Sequence, residues 1–144
     1  MDDFVTGIIA LMGLGVMIIV SLIGFILAII DIVALGIYLK RAGENPLWAI
    51  CPIGNMWKVA GVLYGQEYSW VGLIPLASAI PVIGGIVALI VNVKYSLDIT
   101  ASLGKSLGYG IINIFFGAIT FPLAVLTSSD VPRRCELLNL GKVA

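Results

Sequence analysis

Four polar side chains lie within otherwise apolar stretches of this sequence, where lipid rather than water is expected to surround them. They are Asp31, Asn55, Lys58 and Lys94. Ionisable groups inside a membrane are costly, and they commonly join helices or line ion and proton pathways. Asp31 precedes Lys40 by about nine residues, so on a helix it lies about 13 Å from the membrane interface. This depth makes Asp31 the leading candidate for intramembrane chemistry.

Small residues share one predicted helix face with Asp31. At helical spacing, the face comprises Ser21, Gly24 and Ala28. Small side chains allow close helix packing in a bilayer, so Asp31 is expected to point at another helix. Two interpretations stay open: a protonatable group in a pore or relay, or a structural residue bonded to another helix. The nearest candidate partners by depth are Lys58 and Lys94.

A second small-residue face is expected later in the chain. It comprises Ala77, Gly84 and Ala88. The spacing favours packing between helices, either within the chain or between copies of it. Lys94 and Asp98 stand four residues apart, which predicts a surface ion pair worth a few tenths of a kcal/mol.

The two cysteines are expected to be free thiols. Cys51 lies in an apolar run and Cys135 in a basic tail. A cysteine beside basic residues near a membrane is an occasional acylation site. For Cys135, acylation and an unmodified thiol therefore both remain open.

Composition excludes several classes of function. Of 144 residues, 60% are hydrophobic and 11% are charged, whereas soluble domains carry about 25% charged residues. The mean hydropathy is +1.13. The 8 basic and 8 acidic residues cancel, so no basic surface for nucleic acid is expected. Without histidine and with 2 cysteines far apart, the chain is expected to hold neither zinc nor another cofactor.

The hydropathy pattern predicts an all-α integral membrane protein of one domain. Spans are expected over about 16–39, 69–93 and 109–126, followed by a polar tail over 127–144. The segment 46–65 contains Pro52, Gly54, Asn55 and Lys58, which weaken it as a span. It is predicted to be re-entrant or interfacial and broken over 52–55, with a fourth crossing as the alternative.

The first apolar run is too long for one crossing. It covers about 36 residues, or roughly 54 Å as a helix, against a hydrocarbon core of about 30 Å. Either the helix projects beyond the bilayer beside a partner, or it breaks near Gly13–Gly15 and leaves 2–12 at the interface. A span over about 16–38 with such a break is the favoured prediction.

Basic residues predict the orientation, because cytoplasmic loops are enriched in lysine and arginine. With three spans, six of the 8 basic residues lie inside: Lys40, Arg41, Lys58, Arg133, Arg134 and Lys142. Lys94 and Lys105 lie outside. The N-terminus is therefore expected outside and the C-terminus in the cytoplasm.

The run from Tyr38 to Asn55 reads YLKRAGENPLWAICPIGN. It resembles a pattern, approximately K-A-G-x3-W-x4-P-x2-N, of small multi-pass bacterial membrane proteins of unknown function. Some of those proteins are labelled signal peptidase-like, which implies a serine nucleophile with a lysine base. Lys105 and Ser106 do not form such a pair, because adjacent helical side chains diverge. The resemblance implies a bacterial inner-membrane location and no activity.

Together these patterns favour a non-enzymatic accessory or scaffold subunit that lies in the lipid bilayer. It would associate with other membrane proteins or with its own copies. The alternative is an oligomeric channel or transporter-like protein that uses Asp31, Lys58 and the broken segment at Pro52, since irregular backbone at membrane depth lines cavities.

Overall fold

The computed structural model describes residues 2–79, 83–137 and 141–143. The α-helices are α1 (Asp2–Arg41), α2 (Pro52–Tyr64), α3 (Ile83–Ser102) and α4 (Leu107–Thr127). A short 3₁₀ segment covers Pro46–Ile50 and a long one covers Gln66–Ala79. Three helices, α1, α3 and α4, are long and apolar enough to cross a membrane. The predicted all-α membrane class is confirmed.

Helix α1 continues without interruption through Gly13–Gly15, so the predicted break there is wrong. Both glycines have open space where a side chain would lie. A break surrounded by lipid would leave backbone N–H and C=O groups without partners, whereas a continuous helix satisfies them all. This cost outweighs the weak helix propensity of two glycines, about 1 kcal/mol each.

The predicted 46–65 segment is broken, but the break lies at Cys51, one residue before the 52–55 stretch. Cys51 has extended backbone with φ −89° and ψ 109°. Pro52 then begins α2, where its missing N–H costs nothing. Trp48 packs against Gly54, where a Cβ would lie 2.5 Å from the indole ring. The segment is therefore a short helical pair bent back on itself.

The predicted span over 69–93 is wrong in its bounds. The long 3₁₀ segment occupies 66–79, and α3 begins at Ile83. Pro75 lies inside the 3₁₀ segment and removes a helical hydrogen bond. Gly72 approaches α2 so closely that a Cβ would lie 2.1 Å from the carbonyl oxygen of Met56. Helix α3 continues beyond the predicted bound at 93 and ends at Ser102.

Helix α4 covers the predicted 109–126 region but is sharply bent. Phe116 is non-helical, with φ −126° and ψ 33°. Lys105 Nζ lies 2.8 Å from Thr127 Oγ1, and the Ser128 hydroxyl donates to Leu103 O at 3.1 Å. A straight helix of 21 residues would separate its ends by about 32 Å. The two arms of α4 therefore form a helical hairpin, and its ends lie side by side.

The buried core surrounds the C-terminal end of α1. Tyr38 and Leu39 are fully enclosed, and the Tyr38 hydroxyl lies 3.2 Å from Ser102 Oγ. Arg41 donates to the carbonyl oxygens of Val125 and Ser128 at 2.7 and 2.6 Å. The C-terminal ends of α1, α3 and α4 thus meet. We call this meeting point of Arg41, Ser102 and Ser128 the head end.

Basic side chains gather at the head end. Lys58 pairs with Glu44 at 2.8 Å, and Lys94 reaches the tail carbonyl of Glu136 at 3.3 Å. Lys105 contacts the end of α4. The prediction that Lys94 and Lys105 lie opposite the other basic residues is therefore wrong, because the hairpin in α4 brings both its ends to one side.

Candidate functional site

An open groove lies between residues of α1, α2, α3 and α4. Its volume is about 510 Å³. Five polar residues contribute to its lining: Asp31, Asn92, Tyr95, Ser96 and Asn113. The remaining wall includes apolar side chains such as Met56 and Phe121. The lining surface of the groove is thus mainly apolar, with a few polar groups in its walls.

Asp31 enters this groove from α1. It precedes Arg41, at the head end, by about ten residues, or about 15 Å along the helix. Its Oδ1 atom is buried and has no hydrogen-bond partner among the described residues. The expected partners are wrong, because Lys58 pairs with Glu44 and Lys94 with Asp98.

Tyr95 supplies the second unpartnered group in the groove. Its hydroxyl is buried and, within the described residues, also lacks a hydrogen-bond partner. Buried polar groups are nearly always paired with protein or water. Both residues line the same groove, so the groove is where the described chain leaves buried polar groups unsatisfied. Sequence reasoning missed Tyr95, since an aromatic residue in an apolar helix carries no distinguishing pattern.

A side-chain network forms the polar end of the groove. Asn113 Nδ2 donates to Ser96 Oγ at 2.7 Å, which joins α4 to α3. The Thr120 hydroxyl lies 2.6 Å from Asn113 Oδ1, and Tyr109 donates to Thr120 O at 2.7 Å. Both of these contacts connect the two arms of α4. The network therefore holds the hairpin closed and keeps Asn113 at the groove.

Asp98 is the centre of a buried cluster at the head end, and not part of a surface ion pair as predicted. It is fully buried. Its Oδ2 accepts from Tyr64 at 2.6 Å and from Lys94 at 2.7 Å, and its Oδ1 accepts from Gly141 N–H at 2.7 Å. The i, i+4 spacing alone predicted the pair with Lys94. The burial of Asp98 results from α2 and the tail, which pack over its side chain.

The cluster and the groove are neighbours through two tyrosine rings. Tyr64 and Tyr95 meet edge to face with centroids 6.0 Å apart. Lys94 lies 5.2 Å from the centre of the Tyr64 ring, which adds a cation–π contact. Burial, and then the hydrogen bond to Asp98, raise the pKa of the Tyr64 phenol. Tyr64 therefore remains a hydrogen-bond donor to Asp98 at neutral pH.

The tail cysteine belongs to the same cluster. Cys135 is buried and its thiol donates to the carbonyl oxygen of Asp98 at 3.3 Å. Burial, together with the nearby Asp98 charge, raises the pKa of the thiol to about 12, although Lys94 opposes this. In this fold Cys135 is closed to acylation, whereas Cys51 is exposed.

The other residues predicted from the sequence either make structural contacts or are exposed. Asn55 donates to the carbonyl of Ala49 at 3.4 Å, away from the groove, and Lys58 lies 5.9 Å from the centre of the Trp48 ring. The small-residue face of α1 is exposed to the surroundings: Ser21, Gly24 and Ala28. Gly84 is buried and Ala88 half-buried in α3. The side chain of Ala77 lies outside what the structure describes.

The described part of the chain contains no group of three or more cysteine and acidic residues that could hold a metal ion. No protein-family model, curated protein or solved structure matches this chain.

The groove itself offers one carboxylate, a phenol and carboxamides. These groups can bind a cation or a hydrogen-bond donor.

Proposed function

We propose that this protein is a non-enzymatic accessory or scaffold subunit of a membrane complex, and that α1 is the helix through which it associates. The observation that carries this proposal is the length of α1 as a single helix. Its candidate span covers 37 residues, or about 55 Å. Even at a tilt of about 40°, near the upper end of the usual range, it would cover about 42 Å along the membrane normal.

This length exceeds the hydrocarbon core of about 30 Å. About 12 Å of apolar helix therefore remains outside the lipid. The affected side chains make few contacts within the chain: Leu11 and Met12 are 70% and 68% exposed. Contiguous apolar surface of this kind marks an interaction site. Another membrane protein, or a second copy of this one, would cover it.

The small-residue face of α1 is the part best suited to close helix packing. Among the described residues, no neighbouring atom lies within 4 Å of a Cβ built on Gly24. Ser21 and Ala28 are exposed beside it. Helices approach one another closely at such faces, and van der Waals packing then drives association.

The proposed orientation places the head end in the cytoplasm and the N-terminus outside. The clustering of basic side chains at the head end supports this, because the positive-inside rule applies to residues near span ends. The two arms of α4, each about 10 residues or about 15 Å long, would enter the bilayer only halfway and return. The bacterial inner membrane is proposed as the location from the resemblance of the 38–55 segment.

The test compares assembly mass in a mild detergent by light scattering corrected for bound detergent. We expect the full-length protein to be larger than a monomer or to purify with a membrane complex from its host. Removal of residues 2–12 and, separately, Gly24→Leu should reduce that mass. Leu22→Phe, which adds bulk on the opposite face of α1, is the matched control. A monomer without a partner from native membranes would refute the accessory role.

The channel or transporter alternative is favoured by one observation, the groove with two unpartnered polar groups. It predicts flux of an ion or proton through the reconstituted protein, and loss of that flux in Asp31→Asn at normal expression. Without flux in the wild-type protein this alternative fails.

A further inference from the structure

The Asp31 carboxylate has no counter-charge within the described chain. Four of the basic side chains are engaged at the head end: Arg41 with backbone carbonyls, Lys58 with Glu44, Lys94 with Asp98, and Lys105 with Thr127. Arg133 pairs with Asp130 and Lys142 with Glu136. A carboxylate in a low-dielectric site is strongly unfavourable unless a cation or several donors satisfy it. Lys40 and Arg134 are exposed, and no ion pair among the described residues includes Asp31, so a cation that pairs with the Asp31 carboxylate would come from outside the described chain.

We propose that the groove binds a protonated amine or guanidinium group that enters sideways from the bilayer. The Asp31 carboxylate supplies the negative charge and the first acceptor. The Tyr95 hydroxyl oxygen supplies a second acceptor, and the carboxamide of Asn92 lies on the same wall. An ammonium group carries three N–H donors and no acceptor, which complements these oxygens.

The shape of the groove suits a cation attached to an apolar chain. The groove is open rather than enclosed, and Met56 and Phe121 contribute apolar wall. Aromatic rings of Tyr95 and Phe121 add surfaces that attract cations. The network of Asn113, Ser96 and Thr120 is already bonded internally, so it shapes the site while Asp31 and Tyr95 bind.

Two kinds of molecule could supply the cationic group. A lysine or arginine on a membrane helix packed along Ser21, Gly24 and Ala28 would reach Asp31, which continues that face by helical spacing. A free amphiphilic amine in the bilayer would also reach it. The site depends on the groove alone and stands whether or not α1 binds a partner.

The experiment uses dodecylamine, which is protonated at neutral pH, and dodecanol as its uncharged match. Binding to the full-length protein in mild detergent is counted by native mass spectrometry. We expect saturable binding of one dodecylamine and no specific binding of dodecanol. Asp31→Asn should weaken amine binding at least about tenfold, the equivalent of losing about 1.4 kcal/mol, and Tyr95→Phe should weaken it less. Asp130→Asn, an exposed carboxylate at the head end, is the control and should bind as the wild type does.

Equal binding of amine and alcohol by the wild-type protein would overturn the proposal without reference to any variant. Equal amine binding by the wild type and Asp31→Asn would also overturn it. Light scattering distinguishes the sources once amine binding is established. If dodecylamine lowers the assembly mass, a side chain of a neighbouring helix occupies the groove; if the mass is unchanged, the groove takes a free amine.

Discussion

The ammonium group of Lys105 lies 2.8 Å from the hydroxyl of Thr127, although Lys105 precedes the 21-residue helix α4 and Thr127 is the last residue of that helix. Only a reversal within that helix allows this contact, and Phe116 is where the backbone leaves helical geometry. A helix that satisfies length and composition criteria for a crossing is therefore folded in half. This relationship places the polar tail beside the α3–α4 connection.

The hairpin predicts where labels attach in membrane vesicles. We introduce Leu107→Cys and Ser129→Cys separately into a Cys51→Ser background and treat vesicles of known orientation with a membrane-impermeant maleimide. Both positions should react from the same side, which we expect to be cytoplasmic, because the ends of α4 adjoin. Val5→Cys should react from the opposite side. Reaction of positions 107 and 129 from opposite sides would mean that α4 crosses the bilayer.

Asp98→Asn should lower the free energy of unfolding by about 1.5–3 kcal/mol, the value of a hydrogen bond to a charged group. The substitution preserves shape but removes the charge that Lys94 and Tyr64 approach. Titration with sodium dodecyl sulphate in mixed micelles measures this energy. Asp130→Asn is the matched control, because its pair with Arg133 is exposed and 3.5 Å long and should contribute about 0–1 kcal/mol. Equal losses in the two variants would contradict the central role of Asp98.

Alkylation should distinguish the two cysteines in the native protein. At pH 8, iodoacetamide should modify exposed Cys51 and leave Cys135 intact. The thiolate is the reactive form, and a pKa raised to about 12 lowers the thiolate fraction of Cys135 about a thousandfold relative to an ordinary thiol near 9. Its modification should therefore increase as the pH rises toward 12. Peptide mass analysis measures both sites, and fast modification of Cys135 without denaturant would show that the tail does not dock on Asp98.

Gly72→Ala should destabilise the protein by about 1–3 kcal/mol, the usual cost of overpacking. Its Cβ would lie 2.1 Å from the carbonyl oxygen of Met56, so α2 and the long 3₁₀ segment would have to separate. Gly85→Ala in α3 meets no atom of the described residues within 4 Å and should be neutral or stabilising by up to about 1 kcal/mol. Thermal unfolding of the two variants in the same detergent tests the difference. A stable Gly72→Ala protein would exclude this close approach.

Membrane residence could be predicted from composition, because a chain with 11% charged residues cannot cover its surface against water. The apolar run over 109–126 located α4 closely, whereas for α1 only the C-terminal end was located, because the helix starts at Asp2 and not near residue 16. The bend at Cys51 was also nearly predictable, since Pro52 restricts its predecessor to extended backbone. Asp31 was recognisable as a candidate because a single carboxylate interrupts a long aliphatic helix.

Tertiary structure alone decided the hairpin, the groove and the role of Asp98. Gly117 beside the bend and Pro122 later in α4 weaken the helix locally, but neither specifies a reversal, which depends on contacts such as that of Asn113 with Ser96. Tyr95 became a site residue only when α1 brought Asp31 to the same cavity. Hydropathy and spacing report what a segment prefers near itself, whereas burial and hydrogen-bond satisfaction depend on residues distant in sequence. The Gly141 N–H that completes the Asp98 cluster stands 43 positions away, a distance over which no local pattern carries information.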